Sequence, residues 1–426
     1  MQRTVALPAA VLALVCAALP IAGQSIQPKS IRFTGASEYS DAELLSAADL
    51  QPGADLTSAE MNNRAQKLLD SGVFSAVSFR FDGQDLTFQL TPGFGLLPVR
   101  LQNLPIAGGK ALDEKLHSQF PLFHGLVPEQ GGLTESVRSA LEEMLAAQGI
   151  NATVAAMPVR NGSTNKAEAV NFSITAPTVL VGEIRTEGTI VMLDPKASAI
   201  LAKFPGSPYD AVGSINQIET DLSAYYKDQG YLEPTIHANA GMKVVLSSDA
   251  IRVPLRVSIL PGAQFKLSGI QLAPGLLVTQ AELDHQSGMH AGDFVDDSSL
   301  RQDWRFIERQ YHNRGYIKAK VEPTPTIDHA GKTVSYVVSV DPGPVYTMGA
   351  LTIDNVTDEL RAAMLAAWKI PAGSVFNEGS ILAFFATHDV DPALEHVFSG
   401  VNCRYFMHPN DNTHVVDLTL ALEQKR

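Results

Sequence analysis

LRQDWRFIERQYHNRGY, residues 300–316, is the stretch whose reading decides the fold. Leu300, Trp304, Ile307 and Tyr311 recur at helical spacing, with Arg and Glu between them, which predicts an amphipathic helix. The run stops at Arg314-Gly315-Tyr316, and a glycine just past the last periodic residue ends a helix at no steric cost. A strand-like run (Ile317, Ala319, Val321) follows. The same device recurs. Met61, Ala65 and Leu68 lead into Gly72-Val73-Phe74; Leu133, Val137, Leu141 and Met144 into Gly149-Ile150; Ile215, Ile218, Leu222 and Tyr225 into Gly230-Tyr231. A weaker copy ends at Ser399-Gly400-Val401. By subtraction these glycines, at 72, 149, 230, 315 and 400, stand 77, 81, 85 and 85 residues apart, which is an internal repeat.

Working outward from the helix, each repeat has the order strand, helix, helix, strand, strand. In the first, Ile31 and Phe33 mark a strand, and Ser40-Asp41-Ala42-Glu43 and Thr57-Ser58-Ala59-Glu60 have capping-box spacing. Leu50-Gln51-Pro52-Gly53 is the turn between the helices, and Asp82-Gly83 joins two final strands, Ala76–Phe81 and Leu86–Leu90. The fourth repeat copies this, with Thr279-Gln280-Ala281-Glu282 as its box, Met289-His290-Ala291-Gly292 as its turn, then Ile317–Ile327 and Val334–Val340. The third has Leu180–Arg185, Ala197–Phe204, Pro205-Gly206, Leu232–Ala238 and Ile251–Leu260. The second is looser, with a polar loop from Asn161 to Ala167. In the fifth, Asp389-Val390-Asp391-Pro392 is expected to interrupt the second helix. The expectation is therefore an α+β chain, a tandem array of five small β-α-α-β-β domains at 24–94, 95–177, 178–262, 263–343 and 344–426, each with two helices on a three-stranded mixed sheet. The helix pair supplies the crossover that parallel strands require.

The ends read differently. Arg3, the apolar run Ala6–Ile21 and the small pair Ala22-Gly23 read as a signal peptide over residues 1–23, so the chain is expected to be exported. Cys403 is then the only cysteine of the mature chain, which allows no internal disulfide; a buried, inert thiol in a strand is expected. A net charge of −13 argues against a nucleic-acid partner.

The order of elements, the turn glycines Gly53, Gly206, Gly292 and Gly373, the helix ends Gly72-Val73-Phe74, Gly230-Tyr231 and Gly315-Tyr316, and the closing Leu260-Pro261-Gly262 and Asp341-Pro342-Gly343 together resemble the POTRA (polypeptide-transport-associated) domain. Such domains form the periplasmic arm of outer-membrane assembly factors of the BamA and TamA type. The resemblance implies a periplasmic location at the inner side of the outer membrane, outer-membrane β-barrel proteins as partners, and membrane association only through them. It departs from the family where Glu423-Gln424-Lys425-Arg426 follows the fifth unit directly, so an arm without a barrel is expected.

No catalytic, cofactor or metal motif is legible. His285, His290 and His312 share a repeat but have no ligand spacing, and Glu142-Glu143 are helix neighbours that do not face each other. Tyr225 and Trp304 are expected in the core, with Tyr226 and Phe306 off the stripe. The chain is thus read as a non-enzymatic scaffold that binds extended segments by strand addition. By the family resemblance the receiving edge is the strand after the long helix: Ala76, Val77 and Phe79; Leu232, Thr235 and Ile236; Ile317, Ala319 and Val321. Pro234 and Pro323 guard the latter two, which makes the first the most available. The alternative is a structural adaptor docked to a separate barrel protein.

Overall fold

A computed structural model describes residues 25–106, 108–188, 194–241, 243–247, 249–386 and 401–424. The expected signal peptide, Gly400 and the expected break at residues 389–392 lie outside them. The described residues fall into two compact units: one takes those up to Glu187 and within 191–219 and 237–258, the other those within 188–190, 220–236 and from Ile259 on.

In the first repeat, β1 (Ser30–Thr34), α1 (Asp41–Ala48), α2 (Ser58–Asp70), β2 (Phe74–Phe81) and β3 (Asp85–Pro92) follow the expected order. Ser40 and Thr57 both form full capping boxes, with Glu43 and Glu60 reaching back to the cap amides at 2.7 Å. The chain returns from α2 into an edge strand before filling the centre. The sheet order is β1-β3-β2, with β1 parallel and β2 antiparallel to β3. Leu86, Phe88 and Leu90 of the central strand are buried with Leu44, Met61 and Leu68 of the helices. Each such side chain contributes on the order of 1.5–3 kcal/mol by leaving water.

The fourth repeat, β12 (Lys266–Leu272), α7 (Gln280–Gln286), α8 (Asp297–His312), β13 (Lys320–Asp328) and β14 (Thr333–Asp341), has the same sheet, β12-β14-β13. So does the fifth, where β15 (Thr347–Asp354), α9 (Asp358–Ala367), α10 (Glu378–Ala386), β16 (Val401–Asn410) and β17 (Val415–Gln424) give β15-β17-β16. Cys403 stands in β16, opposite Leu422.

The other two sheets have four strands rather than the three expected. The second repeat comprises β4 (Leu97–Leu101), α3 (Lys110–Gln119), β5 (Leu126–Val127), α4 (Gly132–Ala146), β6 (Thr153–Arg160) and β7 (Ala167–Ala176), in the order β5-β4-β7-β6. Its extra strand comes from the turn between the helices. The third comprises β8 (Thr178–Gly188), α5 (Pro195–Leu201), α6 (Gly213–Asp228), β9 (Thr235–Ala240), β10 (Val245–Leu246) and β11 (Ala250–Leu260); β11 lies between β8 and both β9 and β10.

Two aromatic assignments are corrected. On α6 it is Tyr226 that is buried and Tyr225 half-buried. Buried Ile218 and Leu222 set an i, i+4 row, and Tyr226 continues it. Trp304 and Phe306 are both half-buried against the α8 core, so neither is off its surface. That core also holds Asp303, only 3% exposed, where the amphipathic pattern predicts a solvent face. Its carboxylate accepts from the Ser287 hydroxyl at 2.6 Å, and burial raises its pKa.

Candidate binding edges and the junctions behind them

The two edges of these sheets are not equivalent. On the side of the first strand, the turn between the helices folds back and closes the rim. Its glycine amide donates to that side in four repeats: Gly53 to Pro28 O, Gly206 to Val181 O, Gly292 to Leu267 O and Gly373 to Met348 O, at 2.7–3.3 Å. Antiparallel bridges Ile26–Leu56, Leu180–Pro208, Lys266–Phe294 and Thr347–Val375 accompany them. In the second repeat the same turn lengthens into β5, which pairs with β4. Among the described residues the opposite rim ends in β2, β6, β13 and β16, and β9 pairs only with β11. A terminal strand presents unpaired backbone donors and acceptors that another chain can use.

Among these rims β2 differs in composition. Pro158 lies in β6, Pro323 and Pro325 in β13, Pro409 in β16, and Pro234 immediately precedes β9. A proline has no N–H to offer an added strand. β2 has none. Its Ala76, Ser78 and Arg80 are exposed, while Val77, Phe79 and Phe81 are half-buried. Phe79 lies opposite Phe88, with ring centroids 5.6 Å apart, and Phe33 stacks on Phe88 from the other side at 5.5 Å. The row of aromatics fixes β2 in register without covering its outer rim.

The other expected edge residues divide. Thr235 and Ile236 open β9, with Thr235 exposed and Ile236 buried, and Val321 is in β13. Leu232, Ile317 and Ala319 precede their strands, which begin only at Thr235 and Lys320. Ala319 is buried in the fourth-repeat core. Leu232 packs against that same core, and Ile317 against the core of the fifth repeat. The apolar character of Leu232 and Ile317 therefore reports packing onto the next repeat, which a strand-by-strand reading attributes to the strand itself.

Three of the helix-ending glycines, Gly72, Gly230 and Gly315, belong to these junctions. Gly230 O accepts from Phe265 N, and Gly315 O from Tyr346 N, each at 2.8 Å; Ser71 O accepts from Leu133 N at 3.0 Å. A Cβ on Gly72 would stand 2.7 Å from Gln130 O, and one on Gly315 would stand 2.8 Å from Val375 Cγ1 and 2.9 Å from Tyr346 O. At Gly315 the neighbouring helix end adds polar contacts. His312 Nδ1 lies 2.7 Å from Glu378 Oε2, Tyr405 donates to Glu378 Oε1 at 2.6 Å, and the Gly379 amide donates to Asn313 Oδ1 at 2.8 Å. The hydrogen bond to Glu378 raises the His312 pKa against the effect of burial, and the same bond lowers that of Glu378.

Of the histidines in the fourth repeat, His290 lies 3.8 Å from Asp293 and His312 is engaged with Glu378; among the described residues the three form no cluster. Glu142 accepts from the Val154 amide at 2.8 Å and pairs with Arg138, so it serves the fold. The group that does form is Glu43, His117 and His124, whose ligand atoms lie within 4.8 Å of one another. Sequence reasoning misses it because the His124–Glu43 pair spans 81 residues.

Two of the repeats match a known family model. The POTRA family model, described as a surface antigen variable number repeat, matches residues 28–93 and 267–343. Among solved structures, POTRA domains 3–5 of Haemophilus influenzae BamA are 18% identical, with 58% of this chain and 97% of that one covered and a TM-score of 0.45. The single POTRA4 domain of the same BamA is 30% identical, covering 19% of this chain and 95% of that one, with a TM-score of 0.18. The N-terminal domain of Omp85 from the thermophilic cyanobacterium Thermosynechococcus elongatus is 19% identical over 59% of this chain and 99% of that one, at a TM-score of 0.23. With the repeat unit read from its residues and the family's model found at both 28–93 and 267–343, this chain belongs to the POTRA-domain proteins.

Proposed function

We propose that the chain is a non-enzymatic periplasmic scaffold at the inner side of the outer membrane, which holds extended segments of outer-membrane β-barrel proteins by strand addition. The observation that carries this reading is the asymmetry of the sheets: one rim is closed by the inter-helix turn, and the other is left for a partner. Main-chain pairing makes little demand on sequence, which suits a scaffold for many barrel strands. β2, with no proline and with Ala76, Val77 and Phe79 along it, is the preferred site. The rims at Thr235, Ile236 and Val321 are secondary, while Leu232 and Ile317 act by holding the junctions and Ala319 belongs to the core of its own repeat. In this view the chain divides into domains at 94/95, 177/178, 262/263 and 343/344.

The test uses two adjacent prolines. Neighbouring residues in a strand turn their N–H groups to opposite sides. Of Val77→Pro and Ser78→Pro, one therefore removes a donor from the β3 ladder and the other a donor from the free rim. Binding of a labelled, unfolded barrel-protein strand is measured by crosslinking and fluorescence anisotropy. The variant that keeps wild-type stability is expected to lose binding at least tenfold. Unchanged affinity in that variant removes β2 as the site. Tight recovery of a single folded barrel protein, with no binding of unfolded strands, favours the adaptor reading instead.

A further inference from the structure

We propose that Glu43, His117 and His124 form a binding site for one divalent transition-metal ion, zinc by the chemistry of its donors, where the first two repeats meet. Glu43 is the third residue of α1, in the first repeat. His117 is in the last turn of α3, and His124 in the loop before β5. The two oxygens of Glu43 have separate tasks. Oε2 accepts from both the amide and the hydroxyl of Ser40 at 2.7 Å, closing the capping box. Oε1 is thereby turned to the histidines, 2.8 Å from His124 Nε2 and 3.4 Å from His117 Nε2.

The second observation concerns the far side of the His117 ring. Its Nδ1 lies 2.9 Å from Phe123 O, and a carbonyl can only accept, so Nδ1 carries the proton. In the neutral ring Nε2 then has a lone pair, and a carboxylate oxygen stands 3.4 Å from it. Two acceptors facing each other at 3.4 Å repel unless a cation stands between them. A metal-bound histidine with its other N–H on a backbone carbonyl has this same outer arrangement.

The spacing suits the ion. Ligands ~2.0–2.1 Å from a tetrahedral zinc stand ~3.3 Å apart. The Glu43–His117 separation already has this value, and the Glu43–His124 separation would open by about half an ångström, which the exposed His124 ring can provide. Tyr39, itself buried, lies beside His124 with ring centroids 5.0 Å apart and walls that side of the group. Two imidazoles and a carboxylate are a zinc donor set, and three protein ligands leave a fourth position to water. Because its ligands come from both repeats, the ion would fasten one to the other.

The test is calorimetric titration of zinc chloride into the chelator-treated full-length chain, with Co2+ as a spectroscopic probe. One Zn2+ per chain with a Kd of about 10 μM or below is expected. Visible d–d bands of bound Co2+ should report nitrogen and oxygen ligation. His117→Gln and His124→Gln should each weaken binding at least tenfold, and zinc should raise the melting temperature of the parent but not of the double variant. Both rings are partly exposed, so melting of the metal-free variants provides the check on folding. Absence of stoichiometric binding at about 0.1 mM zinc overturns the site, and so does undiminished binding in the double variant. A cation position filled only by a proton would give the first of these results.

Discussion

Gly315 and Gly149 end their helices in the same way and have opposite surroundings. Both take left-handed backbone angles, φ +86° and +79°. In both, the next amide reaches back five residues, Tyr316 to Tyr311 O at 3.1 Å and Ile150 to Leu145 O at 2.9 Å. Locally they are one motif. Yet a Cβ on Gly315 would press into Val345, Tyr346 and Val375, while one on Gly149 would meet nothing within 4 Å. The glycine recurs because a helix must stop. At Gly315, Gly230 and Gly72 that stop is also a seat for the following repeat; at Gly149 it is only a stop.

The sharpest way to break this comparison is to put a methyl group at both places. Gly149→Ala should cost about 1–2 kcal/mol, the price of a left-handed alanine. Gly315→Ala should add overpacking of about 1–3 kcal/mol to that. Urea unfolding would read the difference, and equal losses would reduce both glycines to caps.

A smaller effect follows from the charges behind Gly315. The folded-state pKa of His312 is raised above 6.5, so its contribution is complete below that value and is lost as pH rises through the raised one. Glu378 is lowered below 4.5, so its contribution is present above that and fades only as pH falls through the lowered value. The junction should be firmest between these limits. Hydrogen exchange at the Tyr346 amide, corrected for intrinsic rates, should accelerate from pH 6 toward pH 9, whereas Ile150 should not respond. His312→Gln should flatten the profile. A parallel response at Ile150 would mean that the pH effect is global.

The smallest expected contrast is proteolytic. Of the proposed boundaries, 177/178 follows the repeat with the open glycine and 343/344 precedes a seated junction. Limited digestion should nick near the first severalfold faster, since cleavage tracks local opening. Comparable rates would show that boundary cleavage does not follow the seat, and first cuts well inside a repeat would argue against the division itself.

Much of the fold was legible because its signals are local. Three Ser/Thr-x-x-Glu boxes are capping boxes in the structure, and the Asp82-Gly83 hairpin joins β2 to β3. What failed was information that local patterns do not carry. Tyr225 and Tyr226 are adjacent, and only the phase of the Ile218–Leu222 row decides which faces inward. Leu232 and Ile317 have strand-like apolar character but serve the following core. β5 could not be anticipated from Leu126-Val127, because two residues show no period. Asp303 breaks the polar face of α8 for a partner, Ser287, just past the end of α7. The Glu43 cluster draws its members from two repeats, so no spacing rule within either one reveals it.

Leu232 and Ile317 have a bearing on how such chains can be rearranged by recombination. Each side chain is encoded with one repeat and completes the interior of its successor. A crossover in the short turn ahead of β9 or β13 would separate a plug from its socket. Exchange after the final strand would carry the plug into a foreign neighbour, which must offer a matching hollow. The unit of inheritance in this family should therefore be the pair of adjoining repeats, with single repeats shuffled only among sequences that share the same plug.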